Sequence, residues 1–435
     1  MSQNYDVVIV GAGAAGLAAA IFAAEAGQKK QKPAAILVLD SARKVGAKIL
    51  VSGGGRCNVT HDEIRSEDYN GSRNIVRNIL AAFDEKATIR WFASLGVPLK
   101  REETGKLFPV SDSARTVLTA LLQRCRELGV TILAQHRVVE LLPFASSYPH
   151  RLTQGEQGSV ADAPGNVFTV RWERGELYAR RVILAAGGRS LPKTGSDGSG
   201  WEIVQRLGHT VTTTVPALVP LILSERMFHA ELSGVSVTVE LSTLVDDKLV
   251  DRRTGSLLWT HFGISGPVVM DTSRHWTIAR AHGQNVKVRC NFFPGQEFAQ
   301  VEKWLLDSAK SRPRASVSKS VGEQLTERLA IALVRWAGVE ASVPLSQLSR
   351  DQRRTLIHTL MSLLLPIDCD RGWNFAEVTA GGVPLSEIDY RTMESRKVAG
   401  LHLIGEMLDC DGRIGGFNFQ WAWATGYLAG RAVSS

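Results

Sequence analysis

The sequence has few of the features that staple small folds or mark secreted and membrane proteins. Five cysteines occur in 435 residues, Cys57, Cys125, Cys290, Cys369 and Cys410, and no two form a CxxC pair. An odd, scattered set predicts neither a disulfide framework nor a zinc site, and no metal is expected. The compartment expected from this is the reducing cytoplasm. No apolar run is long enough to span a membrane, so no membrane partner is expected. The N-terminus does not read as a secretory leader, because Asp6 interrupts it and the apolar stretch breaks into glycines. Basic runs interleaved with aromatics are also missing. The densest, Lys310 to Arg314, contains Pro313 and reads as a solvated loop, so the net charge of +8 predicts a basic enzyme with no nucleic-acid partner.

What is present is ordinary for a globular chain, with 44% hydrophobic and 22% charged residues. At roughly 100–200 residues per domain the length predicts two or three domains. Tyr5 to Val10 is a short, β-branched apolar run that reads as a strand buried on both faces. A helix is predicted from Leu17 to Ala26, stopped by Gly27, and a second strand from Ala35 to Leu39. Helical patterns cover 73–95 and 113–128, with strands at 130–133, 167–172 and 181–186 and a loop rich in Gly, Ser and Pro at 143–166. After Gly200 the texture changes. Strand-like segments at 210–223, 234–241, 256–260 and 286–293 precede helical ones at 297–309, 322–336 and 350–364. The predicted fold is α/β: a Rossmann domain made of both chain ends, 1–194 and 366–435, interrupted by a β-rich and helical insert at 195–365.

Gly11-Ala-Gly13-Ala14-Ala15-Gly16 matches G-x-G-x-x-G between a buried strand and a helix. Gly11 permits a tight turn, Gly13 lets a pyrophosphate approach the backbone, and Gly16 lets helix and strand pack. The helix N-terminus offers free N–H groups and positive dipole to phosphates. Asp40 closes the second strand at the position of a ribose-binding carboxylate, which would repel a 2′-phosphate. Just beyond lies a second glycine-rich, basic segment with Gly46, Lys48, Ser52, Gly53, Gly54, Gly55, Arg56 and Asn58. NAD needs no such second loop. FAD, longer and ending in a planar ring, does. Ala185, Ala186 and Gly187 end a strand in small residues able to approach a cofactor. Gly405 and Glu406 follow another strand. Gly415, Gly416, Phe417 and Asn418 lead into a helix whose N-terminus suits the edge of a flavin that gains negative charge on reduction. Ser41 and Val138 complete the expected cofactor set. The bland alternatives are an unliganded turn, a surface loop and ordinary strand-to-turn junctions.

The stretches YDVVIVGAGAAGLAAA, KVGAKILVSGGGRCNVTH, GKLFPVSDSA, ILAAGGRSLPKTGSDGSG, THFGISGP and LIGEMLDCDGRIGGFNFQWAWATG carry a resemblance over nearly the whole chain. The sequence resembles the BaiN/YhiN-like flavoproteins, which include an aminoacetone oxidase and a bile-acid-type enone reductase. Asp40 stands where the family suggests Glu. The resemblance implies FAD and an inserted β-barrel-like and helical region, but family members differ in reaction. The expected activity is an FAD-dependent oxidoreductase acting on a small or medium organic molecule, by reduction of an unsaturated carbonyl or by amine oxidation. FAD should be non-covalent, although Cys57 and His61 lie close in sequence, and NADH or NADPH is a candidate transient donor. Two other classes stay open: an FAD-dependent RNA-modifying protein, suggested by the basic charge, and a flavin-bound protein without turnover. The SGGGR loop and inserted strands also look like distant relatives of fumarate-reductase-type flavoproteins, where an arginine donates the proton. Arg56 is therefore a catalytic candidate, though a role in binding FAD is favoured. Thr260 to Pro267 is expected beside the flavin on the substrate side, with His261 as a proton-exchanging candidate against the alternative that it only caps the turn.

Overall fold

The computed structural model describes residues 4–144 and 168–434. The glycine- and serine-rich loop predicted at 143–166 lies mostly outside the described residues. The chain divides into two compact units, one of residues 1–214 and 377–435 and one of residues 215–376.

The first unit is built on parallel strands. Asn4–Val10 sits centrally, flanked by Ile36–Leu39 on one side and Gly175–Leu184 on the other. Thr131–Leu133 continues the sheet beyond Ile36–Leu39, and Leu401–Leu403 continues it beyond Gly175–Leu184. Val7 to Val10 and Ile36 to Leu39 are buried on both faces, which explains why their apolar runs are continuous and not alternating. The mixed α/β architecture with a Rossmann-like parallel sheet is the one expected.

The helix after the first strand spans Ala14–Lys29, longer at both ends than predicted. Gly27 does not stop it; the turn ends at Lys30. Its alanine face lies against the C-terminal helix Phe417–Val433, where Gly426 and Gly430 meet the backbones of Ala15 and Ala19. A Cβ at either glycine would strike those carbonyls, so the two helices approach at backbone distance. The single helix predicted at 73–95 is two, Arg73–Ala82 and Glu85–Ser94. Asp84 separates them by accepting from the Ala87 N–H at 2.7 Å, an N-cap that periodicity alone does not reveal.

The second unit carries a seven-stranded antiparallel sheet in the order Leu363–Leu365, Val286–Asn291, Ser236–Val245, Lys248–Thr260, Gly263–Ser265, Leu221–Leu223, Ile367–Asp370. The two edge strands are separated in the chain only by Pro366. A sheet whose opposite edges meet in sequence must curl round, which gives the barrel-like form expected. Helices Phe298–Ser311, Glu327–Trp336 and Arg350–Ser362 follow the helical patterns. The helix Pro267–Ala281 was not predicted. Nine of its residues are buried, so it has little amphipathic stripe to read.

Candidate functional site

All five parallel strands of the first unit run in the same direction, so their carboxyl ends share one edge of the sheet. That edge collects Gly11 after Val10, Asp40 after Leu39, Ala185 after Leu184 and Gly405 after Ile404. Segments far apart in sequence thus meet where ligands bind in open α/β sheets.

The three fingerprint glycines have three different surroundings. Gly11, at φ +104, would drive a Cβ into the Ala185 carbonyl, and Gly16 would drive one into the Gly11 carbonyl. These two are required by packing. A Cβ on Gly13 would meet nothing within 4 Å. Gly13 is also the N-cap of Ala14–Lys29 and offers no side chain to its first N–H groups. The open space therefore stands at the positive end of a helix, where a phosphate fits.

Asp40 is already engaged within the protein. Its Oδ2 accepts from the Ala12 N–H and its Oδ1 from the Ala42 N–H, each at 2.7 Å. The carboxylate clasps the glycine turn to the loop that carries Ser41, and each oxygen keeps a further lone pair. His136 N–H binds the Asp40 carbonyl at 2.8 Å, which brings the strand beginning at Val138, itself buried, alongside.

Gly53, Gly54 and Gly55 stand at φ +54, +68 and +85, three consecutive left-handed residues that are all exposed. Only glycine takes such a run without strain. Ser52 turns back onto the Ile49 carbonyl at 2.7 Å, and Gly46, at φ +69, caps the short helix Ala47–Val51 against Leu118. Asn58 is only 8% exposed, yet its Oδ1 has no hydrogen-bond partner. Ser196 Oγ, beside Gly187, is buried and equally unpartnered. Buried polar atoms rarely stay unpaired, so both suit a polar ligand.

Lys48 and Glu406 form an ion pair. Glu406 Oε1 also accepts from Ser190 Oγ at 2.8 Å and from the Thr379 N–H at 2.9 Å. Ser190 and Thr379 were missed by sequence reasoning; their role needs the fold, which draws together residues almost two hundred positions apart. At the last helix, Gly416, at φ +98, lies against the Thr60 backbone and leaves no room for a Cβ. Phe417 is buried, stacks on His61 at 4.9 Å, and its carbonyl accepts from Tyr69 Oη. Asn418 is already engaged: its side chain exchanges two hydrogen bonds with the Gly412 backbone, at 2.8 and 2.9 Å. It shapes the turn ahead of the helix.

Arg56 is held. Its guanidinium pairs with Glu102 at 2.6 Å and lies 4.0 Å over the Phe108 ring, with Asp112 at 3.7 Å. Cys57 is fully buried, and burial pushes its thiol up to about 12 against an opposing hydrogen bond from Ser52. It is a packed residue and a poor nucleophile.

His261 belongs to the second unit. It is exposed on the tight turn between Thr260 and Gly263, with its ring 5.1 Å from Phe262. Gly263 and Gly266 have positive φ and press on neighbouring strand backbone, and Pro267 opens the next helix. The glycines and proline shape the turn and leave the imidazole facing outward. Among the described residues no group of His, Cys, Asp and Glu could hold a metal ion. Also among the described residues, no helix is long and apolar enough to cross a membrane.

A Rossmann sheet whose carboxyl edge gathers a G-x-G-x-x-G turn and a carboxylate at the end of the second strand defines a nucleotide-binding class of protein. The chain belongs to the HI0933-like protein Rossmann domain family, which it matches over residues 5–432. It is 36% identical to a 3-dehydro-bile acid delta(4,6)-reductase of Clostridium scindens, over 98% of both chains. It is 31% identical to a ribosomal RNA dihydrouridine synthase of Escherichia coli, over 98% of this chain and 97% of that one. A solved 3-ketosteroid delta1-dehydrogenase from Sterolibacterium denitrificans aligns over both full lengths at 13% identity and a TM-score of 0.48. The chain is an enzyme, an oxidoreductase of the Rossmann flavoprotein kind.

Proposed function

We propose that this chain is an FAD-dependent reductase of a carbon–carbon double bond conjugated to a carbonyl, in a small or medium organic molecule. The observation that carries the cofactor is the open space over Gly13 at a helix N-terminus, beside the clasped Asp40 and the left-handed run Gly53–Gly55. The pyrophosphate is assigned to Gly11 to Gly16, the adenosine ribose to Asp40, and the planar ring to the glycine run with Asn58. Lys48 and Glu406 are assigned to the middle of the cofactor. FAD, when bound and first reduced by a nicotinamide donor, would supply the hydride. Both curated relatives' names describe hydrogen added across a carbon–carbon double bond, which supports reduction over amine oxidation.

Arg56, locked by Glu102 and Phe108, is assigned to cofactor binding and positioning. His261 is assigned to proton exchange, since its imidazole is exposed on a turn shaped by Gly263, Gly266 and Pro267 and can both donate and accept a proton. NADH or NADPH is the proposed transient donor.

The test is anaerobic. Purified protein should be yellow, and FAD should be released by acid precipitation, which non-covalent binding requires. NADH or NADPH should bleach the flavin, and a conjugated enone, but not the matching saturated ketone, should restore the colour. Bleaching by a primary amine without a nicotinamide would point to amine oxidation. Reoxidation by neither carbonyl would sink the reductase reading. His261→Gln should slow turnover with FAD affinity unchanged.

One observation favours an RNA substrate instead: the net charge of +8, together with the dihydrouridine synthase names. That reading requires dihydrouridine to accumulate in RNA given to the reduced protein, with binding that weakens steeply as salt rises.

A further inference from the structure

The second unit holds an arginine between two aromatic rings. Arg371 follows the edge strand Ile367–Asp370, and its guanidinium lies 3.6 Å from the Phe375 ring centre and 4.0 Å from that of Phe262. The strands place them together. Ile222 pairs with Gly263 on one side and with Cys369 on the other, so the segment after Thr260 and the strand that leads into Arg371 flank the same short strand, and the long Arg371 side chain spans its width. The Arg371 N–H binds the Pro220 carbonyl at 3.0 Å, which fixes the base of the side chain. Among the described residues no carboxylate pairs with its guanidinium, and Asp370 is turned back onto the Gly372 N–H at 2.7 Å.

A guanidinium whose central carbon has two aromatic ring centres within 4.0 Å has its free N–H donors left toward its edges. It is partly desolvated, so an acceptor that reaches those donors is bound more strongly than in water. Phe375 is 45% exposed, an apolar ring presented beside the cation. An exposed ring next to edge-on donors matches a flat molecule with an acceptor oxygen at its edge: the ligand's ring packs along the exposed edge of Phe375 and the oxygen takes the hydrogen bonds.

We propose that Phe262, Arg371 and Phe375 form a substrate-recognition platform that takes a planar ring bearing a conjugated carbonyl, with the oxygen on the Arg371 guanidinium and the ring against Phe375. The identification of the ligand as a conjugated carbonyl rests on the reductase reading above. Donors to that oxygen also draw electron density from the conjugated double bond, which favours hydride addition at its far carbon.

The experiment separates binding from turnover. The FAD-loaded enzyme is titrated with 4-androstene-3,17-dione and with cyclohex-2-enone, following tryptophan fluorescence and calorimetry. The hydrocarbon androstane serves as the ring without an oxygen. Wild type should bind the two carbonyl compounds and discriminate against androstane. Arg371→Met should weaken the carbonyl compounds on the order of tenfold and erase the discrimination. Arg371→Lys should recover little, because an ammonium lacks the planar fork. Phe375→Ala, a change at an exposed ring, should weaken the androstenedione more than the smaller cyclohexenone. FAD content and circular dichroism should match wild type in all three variants. Equal carbonyl affinity in wild type, Arg371→Met and Phe375→Ala overturns the platform, as does wild type that binds none of the compounds. Binding that depends on Arg371 without flavin reoxidation would instead defeat the reductase reading and leave the platform standing. Carbonyl affinity and the substrate concentration needed for reoxidation both unchanged in Arg371→Met would overturn the platform and leave the reductase reading standing.

Discussion

At the scale of single residues, chemically identical positions have different jobs. Gly11 and Gly16 are packed against backbone, whereas Gly13 faces open space at a helix end. Gly13→Val should therefore fold and lose FAD, since the space it fills is the one assigned to the pyrophosphate. Gly16→Val should fail to fold, because its side chain has to pass through the Gly11 carbonyl. Unchanged FAD affinity in Gly13→Val would show that the phosphate site lies elsewhere. Asp40→Ala should weaken FAD by about 1–3 kcal/mol for a lost charge-assisted bond. It should also loosen the turn, because Ala12 and Ala42 lose their acceptor, so thermal stability should drop even without FAD. Reactivity of the thiols follows burial. Cys57 and Cys125 are each pushed up to about 12 by burial, and Cys290 is pushed higher still. Cys369 is exposed and only modestly raised, by partial burial and its neighbours Asp370 and Asp368. Brief alkylation at pH 8 followed by mass spectrometry should mark Cys369 first, and the four buried thiols, Cys410 among them, only after unfolding. The CxxC-free spacing was legible in sequence, but which thiol faces water was not.

At the scale of elements, one clamp has a pH signature. The loop at Gly208 is tied to the stretch from Leu385 to Val398 through His209. Its Nδ1 meets Glu387 at 2.6 Å and its Nε2 meets Ser395 Oγ at 2.7 Å. Burial pushes Glu387 up, but hydrogen bonds from Lys397, Thr210 and His209 outweigh it and bring the carboxyl down to about 2. A carboxyl depressed on folding contributes stability above its ordinary value of 4.5, and loses it as pH falls toward 2. Burial lowers His209 as well, so its contribution is full above 6.5 and also fades with acid. Urea midpoints should fall from pH 7 to pH 3 in wild type. The gap between wild type and Glu387→Gln should narrow over the lower half of that range. A gap that stays constant with pH would mean the carboxylate is not the group responsible. None of this clamp was legible beforehand, since His209 and Glu387 lie 178 residues apart. The pattern at 322–336 covers the helix Glu327–Trp336 and the break that separates it from Val317–Gly322, whereas elements with strong periodicity, such as Arg350–Ser362 and Ala114–Glu127, were read well. The helix Pro267–Ala281 was not, because a helix buried on most sides shows no polar face.

At the scale of the whole molecule, FAD binding and folding are linked. A ligand that binds the native state alone stabilises it by about 2.7 kcal/mol at a hundred times its Kd. Thermal melts should therefore shift upward with added FAD in wild type and stay put in Gly13→Val; equal shifts in both would contradict the assigned site. The sequence by itself determined the class of fold and the glycine turns that stand at the ends of its inner strands. Buried β-branched runs can only be inner strands, and glycines at the strand ends are local signals of turn geometry and phosphate contact. It also determined the curled second unit in outline, through short strands followed by helices. Only the tertiary structure decided the partners. A parallel sheet aligns the ends of strands drawn from residues 10, 39, 184 and 403, and this brings Lys48 to Glu406 and leaves Asn58 and Ser196 unpartnered. Asn418 is taken by the nearby Gly412 turn, whereas packing between more distant segments locked Arg56 onto Glu102 and brought Phe262 to Arg371. Periodicity and turn chemistry act over a few residues, whereas these contacts exist only after the chain has closed on itself.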